Sequence, residues 1–242
     1  MSYKKDFYPE SRYGGFTDVD STLLFYSRVN SLLEKQFTIL DIGCGRGAYG
    51  DDPVEYRKNL RIMKGKVETV IGLDVNKPAS SNPYIDQFAL LEGNTWPLDD
   101  NSIDLIICDY VMEHAEHPDD LFSEAHRVLA PGGKLCIRTP NRWNYIALSA
   151  SLIPDRFHAK VTSVVQDNRK EEDVFPTFYR CNTKRTFKQY LDKHNFSSVV
   201  YRHEPDPAYL SFSKIAYFFG VLHQRYAPSV IKPSLFVFAT KQ

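Results

Sequence analysis

The residues from Leu40 to Gly50, LDIGCGRGAYG, combine an acidic side chain with closely spaced glycines. Three glycines stand at alternate positions beginning with Gly43, and Asp41 precedes them. Glycine lets a backbone approach a ligand where a Cβ would collide, so this spacing predicts a loop that cradles a nucleotide. Gly43, Gly45 and Ala48 also satisfy the G-x-G-x-x-G/A pattern of NAD-binding folds. The loop alone therefore does not identify the nucleotide.

Two further acids follow the next two apolar segments of the chain. Asp74 ends the segment VETVIGLDVN, and Glu92 follows the segment that begins with FALL. A carboxylate at Asp74 can accept hydrogen bonds from both hydroxyls of a ribose, and one at Glu92 can accept a hydrogen bond from the exocyclic amine of adenine. A dinucleotide would instead need donors for its pyrophosphate. The alternative for these acids is that they cap the following helices. The acid-lined set favours a ligand with an amine, a ribose and an adenine but no phosphate, such as S-adenosyl-L-methionine.

Short apolar segments alternate with helical patterns along the chain, which indicates a parallel sheet with helices on both faces. We expect an α/β fold, namely a Rossmann-like, doubly wound, mostly parallel seven-stranded sheet with an antiparallel edge strand and helical lid insertions. Ligands bind such sheets beyond the carboxyl ends of the strands. The predicted strands are FTILDIG, VETVIGLDVN, FALLEGNTWPL, SIDLIICDYV, KLCIRTPN, SSVVYRHE and SLFVFATKQ. The predicted helices lie in 20–35, 119–129, TKRTFKQYLDKHNF and 207–227, and PGG at 131–133 is predicted to be a turn.

The ordered motifs of residues 37–141 resemble those of class I S-adenosylmethionine-dependent methyltransferases. ILDIGCGRG resembles the first motif, IGLDVN the second, and EGNTWPLDDNSIDLIICDYVMEHAEHPDDLFSEAHRVLAPGGKLCIRTPN the following block. The resemblance implies that Asp41 and the loop backbone hold the methionine end, that Asp74 holds the ribose, and that Glu92 stands where the family usually has Asp near the adenine. The implied cofactor-binding set is Asp41, Gly43, Cys44, Gly45, Asp74, Val75, Glu92, Gly93, Asn94, Cys108 and Tyr110.

Candidate catalytic residues follow the fourth predicted strand. In some members of the resembled family a Glu-His pair, here Glu113 and His114, lies near the transferred methyl group, and His114 could then remove a proton from an acceptor hydroxyl. The alternative is a histidine that orients a loop. His114 and His117 are not predicted to bind a metal, because Pro118 interrupts their helical presentation.

A polar and aromatic segment, 142–182, follows the fifth predicted strand at the side where a substrate must enter. Such a mixture suits a polyhydroxylated acceptor, although most of these side chains could equally form the core and the solvated surface of a lid. The predicted substrate-binding residues are Tyr145, Arg156, His158, Tyr179 and Arg180.

The composition is that of an ordinary globular protein, with 43% apolar and 25% charged residues among 242. The chain start lacks the apolar region of a secretory signal and four cysteines lack paired spacing, so we expect a cytoplasmic protein with reduced thiols. Net charge is zero, which disfavours a nucleic-acid partner, but residues 134–242 carry 17 basic against 8 acidic side chains. The helix at 207–227 is apolar nearly all round; burial is the favoured interpretation, with a dimer contact or a peripheral membrane contact as alternatives. The oligomeric state, monomer or homodimer, stays open.

We expect one methyltransferase domain over 1–242, with a helical cap at 1–36, a cofactor-binding core at 37–141, a lid at 142–182 and a C-terminal part at 183–242. The set RTPN…Y…LIP…FH…EEDVFPTFYR, within residues 138–180, resembles bacterial methyltransferases of polysaccharide or glycolipid assembly, which implies O-methylation of a sugar or a glycan-linked acceptor. Another small hydroxylated metabolite is the alternative acceptor. An NAD-dependent oxidoreductase and a non-catalytic S-adenosylmethionine-binding module are the alternatives from other classes.

Overall fold

The computed structural model describes residues 3–144 and 176–242, and these residues contain seven strands. The strands are β1 (Thr38–Ile42), β2 (Thr69–Asp74), β3 (Gln87–Leu90), β4 (Ile103–Asp109), β5 (Leu129–Pro140), β6 (Phe196–His203) and β7 (Ser234–Lys241). They form a single sheet in the order β3-β2-β1-β4-β5-β7-β6. The order reverses between β1 and β4, and a crevice for a ligand opens at such a switch point.

The sheet is mostly parallel, as the sequence predicts. β3, β2, β1, β4 and β5 pair in parallel, whereas β7 pairs antiparallel with both β5 and β6. The antiparallel strand thus lies at one side of the sheet, with β6 outside it. Because β6 runs in the same direction as β5, the carboxyl ends of six strands lie along one edge.

Helices cover both faces, which confirms the Rossmann-like, doubly wound architecture. They are α1 (Lys4–Phe7), α2 (Ser21–Ser31), α3 (Glu55–Arg61), α4 (Pro118–Val128), α5 (Lys184–Lys193) and α6 (Lys214–Tyr226). Phe122 of α4 and Phe187 of α5 are wholly buried in one core cluster, and Phe25 of α2 is wholly buried in another on the opposite face. Asp20 caps α2 by accepting hydrogen bonds from the backbone of Thr22 and Leu23.

Three features differ from the sequence-based expectation. The first is that the polar stretch 51–66, which was not predicted to be helical, contains α3. Its partly buried Leu60 packs on the core cluster that includes α2, so tertiary contacts stabilise a helix that has no clear apolar period. PGG at 131–133 lies within β5, where the pairing with β4 shifts register between Ile103 and Leu105. The third difference is α6, which is not buried as the favoured interpretation expected, since most of its large apolar side chains are exposed.

Within residues 3–144 and 176–242, no helix has the length and apolar composition that crossing a bilayer requires.

Candidate functional site

The glycine loop turns directly after β1 at the carboxyl edge of the sheet. Gly43 has φ +66° and its N–H donates to the Leu73 carbonyl of β2 at 2.7 Å. A Cβ at Gly43 would lie 2.4 Å from Val111 Cγ2, so only glycine fits between the loop and the end of β4. Gly45 also has a positive φ, +51°, but a Cβ there would meet nothing within 4 Å. The first glycine is therefore required by packing, while the second borders open space.

Asp74 is held in a defined orientation at the end of β2. Its Oδ2 accepts from Gly45 N at 3.0 Å, and its Oδ1 accepts from Asn76 N at 2.8 Å. Each carboxylate oxygen has two lone pairs, so both oxygens keep capacity to accept from a further ligand. This geometry links the glycine loop to the acid that the sequence predicts for a ribose.

Asn82, which the sequence analysis did not single out, fastens the same loop from the other side. Its buried amide donates to the carbonyls of Cys44 at 2.9 Å and Gly45 at 3.2 Å. Its Oδ1 accepts from Tyr84 N at 2.9 Å. The sequence offers no signal for this role, because Asn82 lies in a connection 37 residues after Gly45 and meets the loop only in the folded chain.

Asp41 lies beneath the loop in a desolvated and acidic environment. Burial, followed by the negative charge of Asp109, raises the pKa of Asp41 to about 7; Arg61 opposes the shift and Asp74 adds to it. A carboxyl in this state gains from a cation brought next to it. The arrangement therefore suits the ammonium end of an amino-acid ligand.

The other predicted cofactor residues lie along the same edge in different environments. Val75 is 58% exposed although apolar, as expected for a side chain bordering an open cleft. Glu92 and Gly93 are exposed just after β3, and a Cβ at Gly93 would meet nothing within 4 Å. Asn94 donates to Asp120 Oδ2 at 2.8 Å, so it also fastens the turn to α4.

Two predicted cofactor residues are cysteines with buried thiols. Cys44 is buried, and its Sγ would lie 2.7 Å from a Cβ placed on Gly72, so it packs the loop on β2. Cys108 is wholly buried in the core between β1 and β5. No part of Cys108 is exposed, so the structure gives it no surface to offer a ligand.

Asp109 of β4 and Arg138 of β5 form a buried ion pair that the sequence did not predict. Arg138 donates through Nε and Nη2 to the two oxygens of Asp109, at 2.6 Å each. Tyr26 of α2 donates to Asp109 Oδ2 at 3.0 Å, and Arg138 Nη1 donates to Thr22 Oγ1 at 2.8 Å. The pair thus fastens the first turns of α2 across the carboxyl edge, beside Asp41.

Glu113 and His114 come together in a short 3₁₀ turn after β4. Glu113 is buried, and its Oε2 accepts from Thr139 Oγ1 of β5 at 2.9 Å. Desolvation raises the pKa of Glu113 above its usual value, although a backbone hydrogen bond, the Thr139 hydroxyl and His114 all act to lower it. His114 Nε2 lies 4.0 Å from Glu113 Oε1, and His114 Nδ1 lies 2.9 Å from the carbonyl oxygen of Pro176.

Of the predicted substrate-binding residues, the structure describes Tyr179 and Arg180. Tyr179 lies beside Glu113, whose backbone carbonyl accepts from Phe178 N at 2.8 Å and Tyr179 N at 3.2 Å. Arg180 is exposed. Tyr145, Arg156 and His158 lie outside the described residues.

Tyr179, which lies next to the buried Glu113, shares an unusual backbone conformation with Tyr110. Tyr110 and Tyr179 both have positive φ, 58° and 51°, a conformation that bulky side chains rarely adopt and that often marks a functional site. Desolvation raises the pKa of Tyr179, and the charges of Glu113 and of Tyr209 add to the increase. Desolvation also raises the pKa of Tyr110, and the charge of Tyr209, a residue that the sequence did not single out, adds to the increase. Tyr209 therefore interacts electrostatically with both Tyr110 and Tyr179.

These residues fit the group that the sequence predicts. Open space at Gly45 and Gly93 leaves the backbone accessible on both sides of Asp74. The acids Asp41, Asp74 and Glu92 offer acceptors and negative charge, which suit amine, ribose and adenine groups better than phosphates.

A family model and a curated relative both identify this chain with methyltransferases. A family model described as a methyltransferase domain matches residues 16–200. A probable S-adenosylmethionine-dependent methyltransferase of Mycolicibacterium smegmatis is 33% identical over 111 residues, which make up 43% of this chain and 38% of that protein. The similarity therefore spans less than half of either protein.

Solved structures share the fold at low identity. A SAM dependent methyltransferase from Archaeoglobus fulgidus superposes with a TM-score of 0.56 and 17% identity, over 96% of this chain and 97% of that one. The geranyl diphosphate C-methyltransferase of Streptomyces coelicolor, solved with S-adenosyl-L-homocysteine, gives a TM-score of 0.53 and 14% identity, over 90% of this chain and 79% of that one.

Proposed function

The chain belongs to the methyltransferase-domain family, and from this premise we propose that it methylates a hydroxyl oxygen of a sugar or a glycan-linked acceptor. Its methyl donor is S-adenosyl-L-methionine, so the glycine loop is not a nicotinamide site and the oxidoreductase alternative is set aside. The observation that carries the proposal is the pairing of a buried Glu113 with His114, next to Tyr179. A small hydroxylated metabolite is the alternative acceptor.

The donor site is formed by the residues at the ends of β1, β2 and β3. Asp74 would accept the ribose hydroxyls, Asp41 would face the ammonium group, and Glu92 with the Gly93 backbone would contact the adenine. When bound, S-adenosyl-L-methionine supplies an electrophilic methyl group on a sulfonium. The protein contributes in-line positioning and exclusion of water, which dominate catalysis when the donor is already reactive.

The partner of His114 Nδ1 fixes which ring nitrogen carries the proton when the ring is neutral. A carbonyl oxygen can only accept, so Nδ1 carries the proton toward Pro176 and the neutral ring has its lone pair on Nε2. Nε2 can then take the proton of an acceptor hydroxyl as the oxygen attacks the methyl group. Glu113, 4.0 Å away, stabilises the imidazolium that forms, while Thr139 holds the carboxylate in place.

The tyrosines give this position the character of a hydroxyl-binding site. Tyr110, Tyr179 and Tyr209 combine flat apolar rings with hydroxyls that donate and accept, which suits stacking on a sugar ring and bonding to its hydroxyls. Nearby, the Arg138 guanidinium lies over the Tyr110 ring at 4.9 Å from its centroid and holds that ring in position.

A methyl-transfer screen tests the proposal directly. Purified protein with isotopically labelled S-adenosyl-L-methionine is incubated with nucleotide sugars, glycans and phenols. We expect label in a sugar hydroxyl, and a decrease in kcat of about 10²–10⁴-fold for His114→Gln. Binding of S-adenosyl-L-homocysteine by this variant, measured by calorimetry, stays at the wild-type value. His117→Gln, in the exposed loop three residues on, is the matched control and keeps full activity.

Two outcomes would count against the proposal. Transfer only to phenols or other non-sugar hydroxyls would favour the small-metabolite alternative. Binding of S-adenosyl-L-homocysteine without transfer to any acceptor, together with a biological role that survives both Asp74→Ala and His114→Ala, would favour a non-catalytic binding module.

A further inference from the structure

Helix α6 displays an apolar stripe to solvent. The stripe consists of Ile215, Phe218, Phe219, Leu222 and Tyr226, all of which are exposed. At 100° per residue these positions fall within an arc of about 100° on one side of the helix. Ile215 is 71%, Phe219 62% and Tyr226 79% exposed, so the stripe is a surface and not a partly open core.

The opposite side of α6 is fixed against the protein, so the stripe cannot rotate inward. Tyr217 and Val221 are buried, with Tyr8 packed edge-on to Tyr217 at 6.5 Å between ring centroids. A Cβ at Gly220 would lie 2.5 Å from Pro207 Cβ, so the helix approaches the preceding connection closely at this point. The exposure of the stripe therefore follows from the packing of the helix.

The charged side chains of α6 itself are basic. After Asp206 the chain has four basic residues, Lys214, Arg225, Lys232 and Lys241, and no acidic residue. Lys214 and Arg225 are exposed and lie on the same flank of the stripe by helical geometry. The acid facing this flank from α1 is Asp6, whose carboxylate lies 3.1 Å from Lys214 Nζ. Arg225 is 11 residues further along and extends the positive flank beyond that pair.

We propose that α6 docks on the surface of a membrane that contains anionic phospholipids. The stripe is a convex ridge with aromatic residues along it, which can sink between lipid headgroups, and Tyr226 has an apolar ring with a polar tip suited to that boundary. The basic flank meets the negative headgroups.

The connection that contains α6 leaves β6 and reaches β7 at the carboxyl edge of the sheet, which is the edge of the proposed donor site. Tyr209 and Phe212 precede α6 in this connection and are exposed, so they add to its apolar surface. The proposed docking surface and the proposed site therefore belong to the same edge of the sheet.

Vesicle co-sedimentation of the full chain tests this docking. We expect binding to phosphatidylcholine vesicles that contain phosphatidylglycerol, weaker binding to phosphatidylcholine alone, and a decrease at high salt. The double variant Ile215→Ser, Phe219→Ser lowers the partition coefficient at least about tenfold, because binding scales with buried apolar area. The matched control Tyr13→Ser, Val199→Ser removes two exposed apolar side chains elsewhere and leaves binding unchanged. Arg225→Glu weakens binding, whereas Arg185→Glu on α5 has less effect.

Three results would overturn the proposal. The first is absence of binding to the anionic vesicles, and the second is an equal loss of vesicle binding in the control double variant. The third is a stripe variant that converts a dimer to monomer in sedimentation velocity without changing vesicle binding. Thermal unfolding and S-adenosyl-L-homocysteine affinity are measured for each variant. These readouts distinguish failure of the docking surface from failure of the methyl-transfer site.

Discussion

Arg138 and Asp109 are register partners on β5 and β4, and their side chains form a buried, two-pronged ion pair with both N–O distances at 2.6 Å. Arg138 also donates to Thr22, and Tyr26 donates to Asp109, so one pair connects two strand ends with α2. Although desolvation opposes it, the adjacent Arg138 lowers the pKa of Asp109 below its ordinary value. The pair therefore holds α2 at the carboxyl edge of the sheet, near Asp41.

Replacing Arg138 by Met should destabilise the protein by about 3–5 kcal/mol, because Asp109 is left as a buried charge without its partner. Equilibrium urea unfolding at pH 7 measures the loss. Lys193→Met is the control: its pair with Asp119 is exposed, and such pairs contribute about 0–1 kcal/mol. Equal effects of the two substitutions would contradict the structural role. Because the folded pKa of Asp109 is lowered, its contribution is present at neutral pH and lost on acidification.

Alanine at Gly45 should weaken S-adenosyl-L-homocysteine binding at least about tenfold, because its methyl group enters the space beside Asp74. Gly65→Ala is a close control, since Gly65 also has a positive φ, +82°, and also borders open space. Each change costs about 1–2 kcal/mol of stability through left-handed backbone strain. Calorimetric titration with S-adenosyl-L-homocysteine measures the affinity of each variant and so separates loss of binding from loss of stability. Equal affinity in the two variants would show that the Gly45 space is not a ligand site.

Replacing Asp41 by Asn should stabilise the protein at pH 8 and at the same time weaken S-adenosyl-L-homocysteine binding. The folded pKa of Asp41, about 7, lies above the ordinary value near 4, so its contribution to stability is lost as pH rises through 7. Asn does not titrate and avoids that loss, which amounts to at most about 4 kcal/mol. Thermal unfolding at pH 5 and pH 8 measures the difference. A destabilised variant at pH 8, or one that binds normally, would contradict the assignment; Asp18→Asn, on the exposed surface, should change neither quantity.

The four cysteines should be unreactive in the folded protein. All four are buried, and desolvation raises the pKa of the Cys136 and Cys181 thiols to about 12. The thiolate is the reactive form, so a disulfide reagent such as Ellman's reagent should label none of them within minutes at pH 8. Guanidinium chloride should release all four for labelling. Rapid labelling of one thiol in the native protein would show that part of the core opens locally.

The seven strands could be predicted because the signal for each is local. A short apolar run that ends in glycine or an acid contains both the buried segment and its exit from the sheet, as in β1 with Asp41 and β2 with Asp74. The family motifs are likewise contiguous, so the methyltransferase assignment follows from residues 37–141. Helix α3 could not be predicted in this way, since its apolar residues, Tyr56 and Leu60, are too few to give a helical period in a polar stretch.

The order of residues along the chain was therefore enough to predict the sheet and the donor, and to select the acids that we propose line its site. Only the tertiary structure decided which distant polar groups support that site, such as Asn82 beneath the loop and Arg138 beside Asp109. It also decided the exposure of α6, whose apolar composition suggested burial. The physical reason is the same in each case: a hydrogen-bond partner or a buried face is a property of neighbours brought together by folding, and sequence spacing specifies only the neighbours along the chain.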